Sequence, residues 1–158
     1  MIFVTVGTHI QPFNRLLESV DALPANQDRI IQYGASTYQL KNGSAHRFIE
    51  FDEVVSLMSR AEAVVSHGGV GSIVLALAVG QRPVVAPRLY RFGEHVDDHQ
   101  LEVAESFARA GKIIPFMPGD DLLAKIAVAS GNRAPAASGP SSELIDYMHR
   151  VIVAGRRG

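Results

Sequence analysis

Apolar and polar positions along this chain alternate between two periods. Ile2–Val6 is a short, β-branched apolar run of strand type. Pro12 then stands where a first helical turn tolerates it, and Phe13, Leu16, Leu17 and Val20 follow at helical spacing. Arg29–Tyr33 reads as a second strand ended by Gly34, residues 34–45 as a polar loop, and Phe48–Phe51 as a third strand. Val54–Met58 reads as a short helix and Ala63–Ser66 as a fourth strand. Val70–Val79 is a helix apolar on nearly every side, hence buried. Pro83–Ala86 gives a fifth strand, and a long polar segment runs from Pro87 to His99. Gln100–Ala110 is amphipathic: Leu101, Ala104, Phe107 and Ala108 share one face, and a Glu105–Arg109 pair lies on the other. Gly111 stops that helix, Ile113–Ile114 gives a sixth strand, and Asp120–Ala129 a last helix of this series.

Strands alternating with helices at this spacing predict an α/β domain with a parallel sheet. Residues 1–129 make up that Rossmann-like domain. Residues 130–142, rich in Ser, Gly, Ala and Pro, read as a flexible linker. Leu144, Ile145, Met148, Val151 and Ile152 form a stripe that predicts an amphipathic helix over 143–154. In parallel sheets ligands bind at the carboxyl ends of the strands. Three loops begin at such ends: Gly7–Gln11, Ser66–Gly71 and Pro87–His99.

Composition narrows the function. A net charge of −1 removes the global electrostatic case for nucleic acid. The absence of cysteine excludes a disulfide framework and a thiolate metal site, and fits a reducing compartment. No run approaches the roughly 18 apolar residues of a membrane span, and the N-terminal run reads as a strand rather than a signal peptide. A cytoplasmic protein is the expectation.

The strongest local signal is Ser66-His67-Gly68-Gly69-Val70-Gly71-Ser72, a glycine-rich turn between an apolar strand and an apolar helix. Such a turn admits a ligand close to the backbone and aims helix N–H groups and the dipole at it, which suits a phosphate. Gly7-Thr8-His9 follows the first strand in the same way; alone it is equally a tight turn, but a second glycine turn on the same sheet edge favours a ligand. His67 is either a ligand contact or a turn residue, and Ser72 either a phosphate donor or a first-turn residue.

Glu94, His95, Asp98, His99 and Gln100 belong to a polar segment of the kind that reads sugars, or to a solvated loop entering a helix cap. Its spacing matches no strong metal motif, so no metal site is assigned. The dinucleotide fingerprint lacks its third small residue, and the hydrolase elbow lacks its second glycine.

Taken together, Phe3-Val4-Thr5-Val6-Gly7-Thr8-His9, Pro12-Phe13 and Arg15-Leu16-Leu17 resemble the PssE-like donor-binding subunits of two-part glycosyltransferases. Val65 to Ile73, Pro87-Arg88 and Phe92 to Gln100 resemble them too, over residues 1 to about 115. The resemblance implies the fold of the C-terminal half of a MurG-like, GT-B enzyme. It implies that Gly7 and Thr8 face the donor diphosphate, that His67, Gly68, Gly69, Val70, Gly71 and Ser72 lie beside the nucleotide, and that His99 and Gln100 contact the donor sugar. One departure stands out: Leu75 occupies the place where MurG-like enzymes carry a ribose-holding glutamate.

The function so implied is inverting sugar transfer from a UDP-sugar, without a metal or other cofactor, to a lipid-linked saccharide in exopolysaccharide or capsule synthesis. His9 and Glu94 are the candidate bases on this chain, unless the base comes from the partner. That partner is a membrane-associated, acceptor-binding glycosyltransferase subunit, which would hold the chain at the inner face of the membrane. The stripe from Leu144 to Ile152 either docks on it or packs on its own domain. The rival readings are a non-catalytic accessory subunit and a sugar-nucleotide epimerase, the latter disfavoured by length.

Overall fold

Ile2, Val4 and Val6 bury their side chains on one face of the sheet, and Phe3 buries its own on the other. This alternation is repeated in Ala63, Val65 against Val64, and in Val84, Ala86 against Val85. Strands apolar on both faces are the mark of a parallel sheet covered on both sides. The computed structural model, which describes residues 1–131, has that architecture. Strands β1 (Ile2–Thr5), β2 (Arg29–Gln32), β3 (Ser44–His46), β4 (Ala63–His67), β5 (Val84–Ala86) and β6 (Ile114–Pro115) form one six-stranded sheet in the order β3-β2-β1-β4-β5-β6. All five pairings are parallel. The chain builds outward from β1 in one direction, then returns to lay β4 on its other side. The crevice above β1 and β4 is therefore the topological switch point.

Helices α1 (Asn14–Asp21) and α5 (Leu122–Gly131) cover one face: Leu16, Leu17, Val20, Leu122 and Ile126 join the cluster of Ile2, Val4 and Val65. Helices α2 (Phe51–Arg60) and α3 (Val70–Ala78) cover the other around Phe3 and Val64, and α4 (His99–Arg109) packs beside α3 on Val85 and Ile113. Both ends of α1 are closed by side chains from other elements. Ser36 Oγ accepts the Phe13 N–H at 3.0 Å at the start of α1. The buried Arg29 guanidinium donates to the carbonyls of Val20, Leu23 and Pro24 at its end.

The third strand departs from expectation. It is Ser44–His46, fully exposed at the sheet edge, whereas Phe51 opens α2 and Phe48 lies in the connecting loop. An edge strand can be held by backbone pairing alone, here Ile30 to Ser44, so it carries no apolar signature. Helix α5 runs through Gly131, taking the first two residues assigned to the linker. The remainder of 130–142 and the helix expected over 143–154 lie outside the described residues. Among the described residues, no helix is long and apolar enough to cross a membrane.

Candidate functional site

Two glycine turns meet at the switch point because β1 and β4 are neighbours, with Thr5 in register with Ser66. After β1 the chain reverses at Gly7, whose φ of +76° is a conformation that L side chains rarely adopt. After β4 it passes through Gly68 and Gly69 into α3. The imidazole of His67 fills the space between the turns: a Cβ at Gly7 or at Gly69 would overlap the ring. Gly68 is closed in from behind, with Gln100 Cβ and carbonyl oxygen 3.0 Å from where its Cβ would stand. Gly71 is different, since a Cβ there would meet nothing within 4 Å. Packing within the described residues does not require a glycine at that position.

Helix α3 begins without a side-chain cap, and its first internal bond is Ile73 N–H to the Gly69 carbonyl at 3.1 Å. The N–H groups of Val70, Gly71 and Ser72 thus have no partner within the helix and carry its positive dipole end. They open on a cleft of about 220 Å³ lined by Thr5, Gly7, Thr8, His67, Gly69, Gly71 and Ser72 on one side. Gln32, Ile49, Phe51, Val54, Met58 and Leu75 complete it.

Two basic side chains, His67 and Arg88, are buried here. His67 is buried, which, with the nearby Arg88 charge, lowers its pKa to about 3. The Thr5 carbonyl opposes that shift, yet Nδ1 has no aligned hydrogen-bond partner. His67 is therefore neutral at physiological pH, and it stands in the lining of the cleft.

Arg88 is 0 % exposed, and burial lowers its pKa to about 10, which leaves it cationic. Its Nη2 donates to the Val6 carbonyl at 2.9 Å and Nη1 to the Gln11 carbonyl at 2.9 Å and the Glu94 carbonyl at 3.2 Å, with the guanidinium carbon 4.7 Å from the Phe13 ring centre. These acceptors are carbonyls. The nearby Glu94 carboxylate is already paired with Arg15, so Arg15, Glu94 and Arg88 leave one net positive charge under the rim. That charge lies behind the β1 turn and His67, whose pKa it lowers, and not in the lining of the cleft.

The structure gathers Gly7, Thr8, His67, Gly69, Gly71 and Ser72 around one cleft, with Val70 exposed at the helix start and Gly68 packed behind. It does not bring the polar segment 94–100 to that cleft. Glu94, 5 % exposed, takes Arg15 Nε–H and Nη2–H on its two oxygens, and Oε2 also accepts the Leu89 N–H at 2.9 Å. Glu94, expected as a candidate base and sugar contact, instead spends both carboxylate oxygens on Arg15 and the Leu89 N–H and does not line the cleft. Gln100 is likewise engaged, its Oε1 accepting the Arg88 N–H at 3.1 Å. Asp98 accepts the Tyr90 N–H at 3.0 Å and His95 meets Asp97 at 2.9 Å, while the His99 side chain is 66 % exposed.

His9 lies outside the cleft lining, its ring centre 4.9 Å from that of His95. Burial, then the Arg88 charge, then His95, lower its pKa. Its Nδ1 accepts the Gln11 N–H at 3.2 Å, so the neutral ring carries its proton on Nε2 and offers a donor, not a base. Among the described residues no group of three or more His, Cys, Asp or Glu stands ready to hold a metal ion.

Sequence reasoning passed over Thr5, Gln32 and the apolar wall. Thr5 and Gln32 were detectable as polar residues inside otherwise apolar buried strands, where each needs a partner. They have one another: Gln32 Nε2 donates to Thr5 Oγ1 at 3.1 Å.

Known proteins resemble this chain in sequence and in fold. UDP-N-acetylglucosamine transferase subunit ALG13 of Yarrowia lipolytica (strain CLIB 122 / E 150) is 31% identical over 125 residues, which is 69% of this chain and 61% of that protein. The chain thus spans under two thirds of that relative's length. Among solved structures, the glycotransferase of kitacinnamycin aligns with a TM-score of 0.62 at 21% identity, over 97% of this chain and 39% of its own. The glycosyltransferase SnogD from Streptomyces nogalater aligns with a TM-score of 0.51 at 15% identity, over 97% and 43%. At those identities the likeness is one of fold, that of a GT-B glycosyltransferase half. The sequence pattern described as the glycosyltransferase family 28 C-terminal domain matches residues 1–114. With most of its length matched by that pattern, the chain belongs to the glycosyltransferase family 28 C-terminal domain family.

Proposed function

We propose that this chain is the donor-binding subunit of a two-part inverting glycosyltransferase. In this reading it holds a UDP-sugar while a membrane-associated partner presents a lipid-linked saccharide, in exopolysaccharide or capsule synthesis, with the pair at the inner face of the membrane. The observation that carries the reading is Gly71. Gly71 stands at an open position in the first turn of α3, lining the cleft beside N–H groups that have no partner within the helix. That combination suits a diphosphate lying on the helix end.

Transfer then proceeds by attack of the acceptor hydroxyl on the sugar's anomeric carbon. The bond from that carbon to the diphosphate oxygen breaks, and UDP leaves with its electron pair. The growing negative charge is met by the N–H groups of α3 and the hydroxyls of Thr8 and Ser72. No metal is needed for that charge. The hydroxyl proton goes to a base on the partner, since Glu94 is bound within an ion pair and His9 Nδ1 is taken.

A partner half is also supported by the rim itself. Ile10, Phe48, Val70, Tyr90, Phe92 and Val96 are large apolar residues exposed at the carboxyl ends of the strands. Among the described residues only Leu123 and Val128 match them elsewhere. The relative in Yarrowia lipolytica is itself called a subunit.

The lack of a free base favours one other reading, a non-catalytic accessory chain that stabilises its partner. Sugar transfer by the reconstituted pair, from UDP-sugars to a lipid-linked acceptor, separates the two. Loss of transfer with Thr8→Val or Gly71→Val supports the donor site, whereas unchanged transfer supports the accessory chain.

A further inference from the structure

The cleft has two unlike sides. Opposite the glycine turns stands a wall of Ile49, Phe51, Val54, Met58 and Leu75. The polar groups at its floor are turned toward one another. Gln32 Nε2 donates to Thr5 Oγ1 at 3.1 Å, Gln32 Oε1 accepts the Ile49 N–H at 3.0 Å, and Thr5 Oγ1 also takes the Gly7 N–H at 3.1 Å. Leu75 is three residues beyond Ser72 and four beyond Gly71 on α3, so it shares their helix face. A group seated on the first turn of α3 therefore continues onto the Leu75 side chain.

Nucleotide sites commonly identify a ribose by a carboxylate that accepts hydrogen bonds from its hydroxyls. A site built to bond a hydroxyl strongly rejects the analogue without it, while an apolar site discriminates weakly. Among the described residues lining this cleft there is no Asp or Glu, and beyond the first turn of α3 the lining is the hydrocarbon of Leu75, Met58, Val54, Phe51 and Ile49. A hydrocarbon wall offers a 2′ hydroxyl no hydrogen bond by which to tell it from hydrogen.

We propose that this pocket holds the pentose of its nucleoside diphosphate by apolar contact, with Leu75 as the residue that sets sugar specificity. It then accepts the 2′-deoxy form as readily as the ribo form, so thymidine diphosphate sugars are admitted as donors beside UDP-sugars. The inference rests on the cleft being the nucleotide-sugar site.

Calorimetric titration of the full chain with UDP and with dUDP isolates the 2′ hydroxyl. The dissociation constants are expected to agree within about threefold, and Leu75→Glu is expected to favour UDP by roughly tenfold through a charge-assisted hydrogen bond. Leu75→Gln, an uncharged acceptor, serves should the buried carboxylate disturb folding, and is expected to shift the ratio in the same direction. Wild-type protein that binds UDP more than tenfold tighter than dUDP overturns this inference and leaves the nucleotide site standing. Binding of neither nucleotide overturns both.

Discussion

Arg15 and Glu94, 79 residues apart in the chain, meet in a two-pronged ion pair, Nε to Oε1 at 2.9 Å and Nη2 to Oε2 at 3.0 Å. The pair ties α1 to the segment that follows β5. Arg88 adds bonds to the backbone of Val6, Gln11 and Glu94, so the loops around the cleft are held from behind. Rigid support of this kind keeps the turn at Gly7 in place before a ligand arrives.

The role of Glu94 as a strut has a direct consequence. Glu94→Gln keeps the shape but leaves Arg15 without its counter-charge. The change is expected to destabilise the fold by roughly 2–4 kcal/mol, in line with the loss of one member of a buried pair. Chemical denaturation measures it; an unaltered midpoint combined with abolished transfer would instead make Glu94 a catalytic base.

His67 predicts an acid weakness. Its pKa is about 3 in the fold and about 6.5 in the unfolded chain, so below pH 6.5 the unfolded state binds the extra proton. The stabilising effect of a neutral His67 is complete above pH 6.5 and declines as pH falls toward 3. By pH 5 about 2 kcal/mol should be lost. Urea unfolding at pH 7 and pH 5 is expected to show that loss in the wild type and a smaller one in His67→Asn. Equal losses in both proteins would disprove the assignment.

The glycines should respond unequally. Gly69→Ala forces a methyl into the His67 ring and should lower both stability and UDP affinity. A Cβ at Gly71 meets nothing within 4 Å, so the melting temperature of Gly71→Val should hold within a few degrees while UDP affinity falls at least about tenfold. Thermal melts and calorimetry on the two variants test the contrast; a Gly71→Val protein with normal affinity would remove the ligand from the start of α3.

If the helix end and the hydroxyls alone offset the charge of the leaving diphosphate, a chelator should not matter. Transfer by the reconstituted pair is expected to be unchanged in EDTA. A large loss that added magnesium restores would assign the charge to a metal instead.

Much of this was visible in the sequence because it depends on local pattern. The spacing of Leu16, Leu17 and Val20 marks α1, and the glycines at 68, 69 and 71 mark the turn into α3. Ser44–His46 was not, since an exposed edge strand needs no apolar side chains, and the apolar run near it, Ile49 and Phe51, serves the cleft wall. Nor was the fate of Glu94 and Gln100. A polar residue in a loop looks the same whether it faces a ligand or a buried guanidinium far along the chain, and only the packing of Arg15 and Arg88 decides between them.

The central claim is that a nucleotide diphosphate lies across the turns after β1 and β4. Amide chemical-shift mapping of the labelled chain during titration with UDP tests it most directly. The account predicts the largest shifts at Gly7, Thr8 and Gly69 to Ser72. Shifts absent there and concentrated instead at the hollow of about 440 Å³ lined by Ser19, Leu23, Phe116 and Asp120 would contradict it.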